Sequence, residues 1–302
     1  MYKICVLMTT YNPKKYLLEQ LKSIYAQRDV DVHVVIRDDC STDKTFLELA
    51  KKEYSFLLLE GKNNVGVGKN IQKLLQYAYQ YKQGYDYYAY SDQDDVWLED
   101  KLITAIQYLK QMNQVKPCVY YGNLLVVDEN LSFSHELFPR SIVKNTYGQS
   151  LAQVFMFACT SVFNYKTIVE IKDIDFSQVG FDTCLYYMGI WKGDIFFDDV
   201  PHIQYRQHQD NVSGVKKKGI SYLIGKLKNI QQIMTDKPFQ KNSKFLIENF
   251  HLNTHEKYEL IKMVANYKTF FDRLKIIMNK EIKAGYYPKD LYRILRLILG
   301  AY

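Results

Sequence analysis

Short, largely apolar runs punctuate the first third of the chain, and each is followed by a stretch with apolar residues at every third or fourth position. Lys3–Met8, Val32–Ile36, Ser55–Leu59 and Tyr87–Ser91 are too short for helices, and their inner positions do not alternate with polar ones. Such runs read as strands covered on both faces. Between them, Leu17, Leu18, Leu21, Ile24 and Tyr25 recur at helical spacing behind Pro13, whose missing N–H costs nothing in a first turn. Asp43 stands where it can cap a helix carrying Phe46, Leu47 and Leu49. Further helices are expected from about Gly68 to Lys82 and from Leu98 to Met112. This βα alternation over residues 1–115 predicts an α/β fold with a doubly wound, mainly parallel, Rossmann-like sheet.

From 116 to 215 the pattern becomes mixed. Cys118–Val127 and Phe157–Phe163 read as strands, Phe181–Ile190 as a short helix, and Ile195–Asp198 and Ile203–His208 as closing strands around Pro201. Beyond Gly214 the chain turns helical: Tyr222–Ile233, Phe245–Asn266 and Leu291–Leu299 carry apolar residues every three or four positions among lysines. Charge marks the same boundary. Residues 1–215 hold 22 basic against 26 acidic residues, and residues 216–302 hold 18 against 7. The expected organisation is therefore a domain over 1–215, with halves 1–115 and 116–215, and a basic helical extension over 216–302.

Composition narrows the class. A hydrophobic content of 47% supports a full globular core. The five cysteines are widely spaced with no CxxC pair, which argues against a disulfide framework or a zinc site and for a reducing compartment. The N-terminus enters a strand without a signal-peptide layout, and no apolar stretch reaches the roughly 18–20 residues of a spanning helix. A cytoplasmic chain is expected, peripheral at the inner face of the cell membrane if its tail binds there.

In a parallel sheet the C-terminal tips of the strands open onto one ligand-binding edge. Four polar loops fall at those tips: Thr9-Thr10-Tyr11-Asn12, Asp38–Asp43, Asn64–Asn70, and Asp92-Gln93-Asp94-Asp95. Asp92 and Asp94, one residue apart, suit a hard divalent cation that neutralises a diphosphate. Asp39 suits a base or ribose, and small residues such as Gly66 and Gly68 let backbone approach a ligand. Asp38, Asp39 and Asp43 also fit simple helix capping. Gly66-x-Gly68 lacks the third glycine of a dinucleotide fingerprint and the Lys-Ser/Thr of a P-loop, so NAD and ATP readings of that kind lose support.

Thr10-Tyr11-Asn12, Asp38-Asp39-x-Ser41-x-Asp43, Asn64-x-Gly66-x-x-x-Asn70 and Ser91-Asp92-Gln93-Asp94-Asp95-Val96-Trp97 together resemble the family 2 glycosyltransferases of GT-A fold. The resemblance is specific over about residues 1–105, looser from 116 to 215, and fades in the tail. The SDQDDVW form is similar to enzymes of bacterial surface-polysaccharide assembly, rhamnosyltransferases in particular. It implies a nucleotide-sugar donor, dTDP-rhamnose before a UDP-hexose. Thr10, Tyr11, Asn12, Asp38, Asp39, Asn64, Gly66, Asn70, Ser91, Asp92 and Gln93 are the expected donor-side residues. It assigns Asp92 and Asp94 to Mg2+ or Mn2+ and the diphosphate.

Inverting transfer needs a carboxylate to take the acceptor's proton. The family places it at the start of a helix after the mid-domain strands. Gln178–Tyr187 fits that place and Asp182 is the candidate, although Phe181 stands where an acid or histidine is commoner. Asp194, Asp198 and Asp199 compete in a turn setting. Tyr205–Gly214 resembles the family's closing segment, which makes His208 the candidate third metal ligand and leaves Arg206 either on phosphate or on a core acid. Trp97 and Trp191 read as packing or acceptor-stacking residues.

The basic tail has two readings, packing of its helices in a homodimer and attachment to an anionic membrane surface. The latter suits an acceptor glycan carried on a lipid. No nucleic-acid partner is expected, since no groove-reading motif accompanies the charge. A sugar-1-phosphate nucleotidyltransferase would want a glycine-rich, basic first loop, which Met8–Asn12 is not. A non-catalytic nucleotide-sugar-binding subunit remains the alternative from outside enzymes.

Overall fold

The computed structural model describes residues 1–208 and 237–302. They form two compact units: Met1–Arg140 with Met156–His208, and Ser141–Phe155 with the described part of Gln209–Tyr302. The expected boundary at 216, the helix at Tyr222–Ile233 and the lysines 216–218 lie outside the described residues.

In chain order the first unit carries β1 (Tyr2–Thr10), α1 (Tyr16–Tyr25), β2 (Val30–Asp38), α2 (Thr45–Glu53), β3 (Phe56–Glu60), α3 (Val67–Tyr81), β4 (Tyr87–Ser91), β5 (Val96–Trp97) and α4 (Lys101–Leu109). Then follow β6 (Cys118–Gly122), β7 (Leu125–Val127) and β8 (Phe133–Glu136). After α5 (Tyr147–Ser150, in the second unit) come β9 (Val162–Phe163), α6 (Tyr165–Ile171), α7 (Phe181–Trp191), β10 (Asp194–Asp198) and β11 (Ile203–Arg206). Seven strands make one sheet in the order β10-β6-β9-β4-β1-β2-β3, parallel except for β9. Ile4 to Met8 of β1 are fully buried, as a central strand covered by helices on both faces requires.

The order fixes where a ligand goes. From β1 the chain winds outward to β2 and β3, then returns to β4 on the other side of β1. The loops leaving β1 and β4 therefore flank the crevice at the switch point. Register sets Thr10 opposite Asp38 and Met8 opposite Ser91, so these loops leave the sheet at neighbouring levels. A second, four-stranded sheet, β5-β11-β7-β8, carries the mixed region.

Three expected elements come out differently. Cys118–Val127 divides at Asn123, whose N–H donates to the Asp198 carbonyl, so β6 and β7 belong to different sheets. Phe157–Phe163 contributes only β9. The Thr160 and Ser161 hydroxyls donate back to the carbonyls of Phe157 and Ala158, and that local bonding favours a 3-10 turn at Ala158–Thr160 over a strand. The helix expected from Leu98 begins at Lys101, because Leu98 donates its N–H to the His202 carbonyl beside β5.

In the second unit, the expected helical stretch Phe245–Asn266 is two helices, Pro238–Phe250 and Tyr258–Asn266, interrupted at His251 with φ 53°. A further helix, Phe270–Met278, is opened by a capping box between Thr269 and Asp272. The terminal helix spans Tyr287–Leu299. Among the described residues no helix is long and apolar enough to cross a membrane.

Candidate active site

The four loops are stitched together by their own side chains. Asn12, held at φ 43°, accepts through Oδ1 from the N–H groups of Thr42 (2.9 Å) and Asp43 (3.1 Å), and its own N–H donates to Ser41 Oγ at 2.8 Å. A non-glycine residue tolerates that left-handed backbone only where surrounding bonds over-determine it. Gln93 clasps the Tyr11 peptide on both sides, Oε1 accepting its N–H at 3.0 Å and Nε2 donating to its carbonyl at 3.3 Å. The loops after β1, β2 and β4 are thus one unit.

Several expected donor-side residues are bonded within the loops themselves. Asp38 is fully buried and accepts from Thr10 Oγ1 (2.8 Å), Ser41 N–H (2.8 Å) and Ser41 Oγ (2.6 Å). Asn70, also buried, donates to the Arg37 carbonyl at 3.2 Å and accepts from the Arg37 guanidinium. Asp39 accepts from the N–H groups of Val65 and Gly66 (Oδ2 to Gly66, 2.8 Å), which binds the third loop to the second. Asn64 closes its own turn by accepting from the Gly66 N–H at 3.1 Å. Gly66 takes φ 81° and faces open space, as a backbone approach to a ligand requires, whereas Gly68 is kept small by the Ser177 backbone, 3.1 Å from where a Cβ would stand. Tyr11 remains half exposed at the rim.

The fourth loop holds the charge. Ser91 is buried, accepts from Gln20 Nε2 at 2.8 Å and donates to the Asp92 carbonyl. Asp92 Oδ1 accepts from Tyr90 OH at 3.1 Å, and Tyr90 in turn is 2.8 Å from Thr9 Oγ1. Burial, then the charges of Asp94 and Asp182, push the Asp92 carboxyl well above the usual range. Asp94 Oδ2 lies 2.9 Å from His208 Nε2, whose ring stacks on Tyr16 with centroids 5.1 Å apart. Asp94 and His208 thus meet as a carboxylate and an imidazole, donors of the kind that Mg2+ or Mn2+ takes, whereas the ligand atoms of Asp92 group with those of Asp95 and Cys159.

Arg206 resolves its two readings toward the core. Its side chain is buried, donating to the carbonyls of Asp94 (2.9 Å) and Glu129 (2.7 Å) and to Glu19 Oε2 (2.6 Å), with the guanidinium over Tyr16. It fixes the backbone of the acidic loop from beneath.

Asp182 sits in the first turn of α7 behind Gly180, whose φ of 78° lets the chain turn into the helix. Its charge is felt by both Asp92 and Tyr90, and Phe181 packs edge-on against Tyr90 with centroids 5.1 Å apart. Burial raises its carboxyl to about 6, with its own N–H and that of Ala158 partly offsetting the rise. Two of the competitors are engaged elsewhere: Asp194 Oδ2 accepts from Asn113 N–H, and Asp198 bonds Tyr120 OH, Val200 N–H and His202. Trp97 and Trp191 are both buried, in line with packing.

Four residues near this site are given no role by the sequence. Tyr90 and Gln20 present ordinary core periodicity, and only their hydrogen bonds in the folded chain show that they hold the acidic loop. Asp95 and Cys159 are buried, and with Asp92 their ligand atoms all lie within 4.8 Å of one another. Burial, followed by the charges of Asp95 and Asp92, pushes the Cys159 thiol well above its ordinary value. A thiol kept protonated is a poor partner for a hard cation, so this cluster does not suit Mg2+ or Mn2+.

Relatives share this sequence and this frame. The chain is 30% identical over 224 residues to dTDP-rhamnosyl transferase RfbG of Shigella flexneri, covering 68% of this chain and 73% of that protein. It is 24% identical over 147 residues to UDP-Glc:alpha-D-GlcNAc-diphosphoundecaprenol beta-1,3-glucosyltransferase WfgD of Escherichia coli, covering 48% and 54%. Among solved structures, TarS 1-349 of S. aureus in complex with UDP aligns at TM-score 0.55 and 15% identity, over 98% of this chain and 90% of that one. Mannosyltransferase PcManGT of Pyrobaculum calidifontis, in complex with GDP-Man and Mn2+, aligns at TM-score 0.51 and 16% identity, over 99% and 85%. The fold is that of GT-A glycosyltransferases. With the family model Glycosyl transferase family 2 matching residues 5–164, the chain belongs to that family of glycosyltransferases.

Proposed function

We propose that this glycosyltransferase is an inverting, metal-dependent enzyme that moves rhamnose from dTDP-rhamnose to a hydroxyl of a lipid-linked or growing cell-surface glycan. The observation that carries the reading is the placement of Asp182. Its half-buried carboxylate opens α7 within electrostatic reach of Asp92, at the crevice formed by the four knitted loops. In the proposed reaction Asp182 takes the acceptor's proton as the oxygen attacks the anomeric carbon. Tyr11 and Asn64 with the Gly66 backbone face the nucleotide, while Thr10, Asn12, Asp38, Asp39, Asn70, Ser91 and Gln93 hold these loops in place. Asp92, Asp94 and His208 would hold a divalent cation. When bound there, it supplies positive charge for the leaving diphosphate.

The donor reading rests on the Shigella relative, whose name gives a dTDP-rhamnosyl transferase. A UDP-hexose donor is the second reading, supported by the E. coli glucosyltransferase. The test is release of nucleoside diphosphate from a panel of dTDP- and UDP-sugars with Mg2+ or Mn2+ and a glycan acceptor. Asp182→Asn should cut kcat by about 10²–10⁴ while donor affinity stays within about twofold. A donor-binding protein with no turnover on any acceptor would favour a non-catalytic subunit.

A further inference from the structure

The terminal helix Tyr287–Leu299 of the second unit is turned inside out. Its charged Arg293 and Arg296 are buried, whereas Tyr287, Leu291, Leu295, Ile298 and Leu299 are 48–78% exposed. These five positions fall on one helical face. The inward face is committed to its arginines: Arg296 donates from Nε (3.0 Å) and Nη2 (2.7 Å) to the Ala301 carbonyl, and its guanidinium packs against the rings of Phe239 and Tyr292. Rolling the helix to hide the leucines would part that buried cation from its carbonyl acceptor and expose Leu297, which is fully buried.

The neighbouring helix Phe270–Met278 extends the same surface. Phe271 and Met278 are 74% and 78% exposed, and Phe270 is half exposed. Arg273 joins the two helices by donating from Nη1 to the carbonyls of Leu297 (3.1 Å) and Ile298 (3.0 Å) while its guanidinium lies over the Phe270 ring. Phe270 and the Ile298 end of the terminal helix therefore flank one guanidinium, which ties the two helices together at that point. Lys275 is exposed one turn after Phe271, and Lys268, Lys280 and Lys283 are exposed in the segments flanking that helix, with Glu281 exposed among them.

We propose that this lysine-studded apolar face docks the protein on an anionic lipid bilayer. The aromatic and aliphatic side chains enter the headgroup–acyl boundary, and the lysines meet lipid phosphates. Charge decides the occupant. With 18 basic against 7 acidic residues over 216–302, a second copy of this chain would bring like charge against like charge across a two-fold contact. An anionic headgroup layer neutralises it instead. The proposal goes beyond glycosyl transfer and stands whichever donor is used.

The test is co-sedimentation of the full chain with vesicles of phosphatidylglycerol and phosphatidylcholine, set against phosphatidylcholine alone. Binding is expected to the anionic vesicles, weakened by salt. Phe271→Glu and Leu295→Glu, both on exposed positions, should each lower the partition coefficient about tenfold or more, with unchanged thermal unfolding. Wild-type binding by both variants, or no anionic preference, would overturn the proposal. So would a dimer seen by light scattering that Leu295→Glu dissolves, which would assign the face to a second copy.

Discussion

His208 Nε2 lies 2.9 Å from Asp94 Oδ2, so the segment leaving β11 is joined to the loop leaving β4 although 114 residues separate them. The contact pairs an acid of the fourth loop with an imidazole whose ring stacks on Tyr16. If Asp94 and His208 share a divalent cation, removing the imidazole weakens the cation and leaves the chemistry intact. His208→Ala is expected to raise the Mg2+ or Mn2+ concentration for half-maximal activity about ten- to hundredfold, with kcat largely restored at saturating metal. A metal titration of initial rates checks this. An unchanged metal dependence would restrict His208 to bracing the loop.

Asp182 predicts the shape of the pH profile. Burial favours its neutral form and raises it to about 6. A general base works only when ionised, so the protonated enzyme below that value is inactive. Hence kcat/KM should climb about tenfold per pH unit up to about pH 6 and flatten above it. Asp182→Asn should be low at every pH and show no such limb. A profile of kcat/KM for the two proteins, with metal held saturating, separates the base from a bystander.

Asp38 should matter to folding more than to turnover. Its carboxylate gathers Thr10 Oγ1, Ser41 N–H and Ser41 Oγ in a fully buried setting. Asp38→Ala leaves these donors without an acceptor, at a cost of about 1–3 kcal/mol for each buried group that water cannot reach. A drop of several degrees in Tm is expected by thermal denaturation. Asp38→Asn keeps an acceptor for the hydroxyls and should fall between the two.

The sheet and its loops were legible because burial leaves a periodic trace. A strand such as β4, covered on both faces, has to be apolar, and its charged continuation at Asp92 then locates the open tip. Roles within the loops were less legible. Asp38 and Tyr11 stand at strand tips and Asn70 near the start of α3, yet only the folded chain shows that Asp38 and Asn70 turn inward while Tyr11 remains at the rim. Long-range bonds left no trace at all. Nothing near Gln93 in the chain announces that its amide grips the Tyr11 peptide, and nothing in Arg293 or Arg296 announces that a helix will bury them and show its leucines.

Lys101 is a stability cost that sequence pattern hides on the first turn of α4. Its Nζ has no hydrogen-bond partner, lies 3.4 Å from the centre of the Trp97 ring, and is buried. Burial lowers the amine to about 7, against the opposing charges of Cys159 and Asp95. The unfolded chain keeps an ordinary lysine, at about 10.4. Between those values the unfolded state binds a proton that the native state does not, so this residue makes stability rise with pH across the window from about 7 to about 10. Below it the native amine is also protonated and the penalty is constant. Lys101→Met, of similar volume, removes the penalty and is expected to stabilise by up to a few kcal/mol near pH 7, with the gain shrinking as pH approaches about 10. Denaturant unfolding of both proteins at the two ends of that window measures it. A variant less stable than the wild type near pH 7 would mean that the lysine is worth more to the fold, through the Trp97 face and Asp95, than its burial costs.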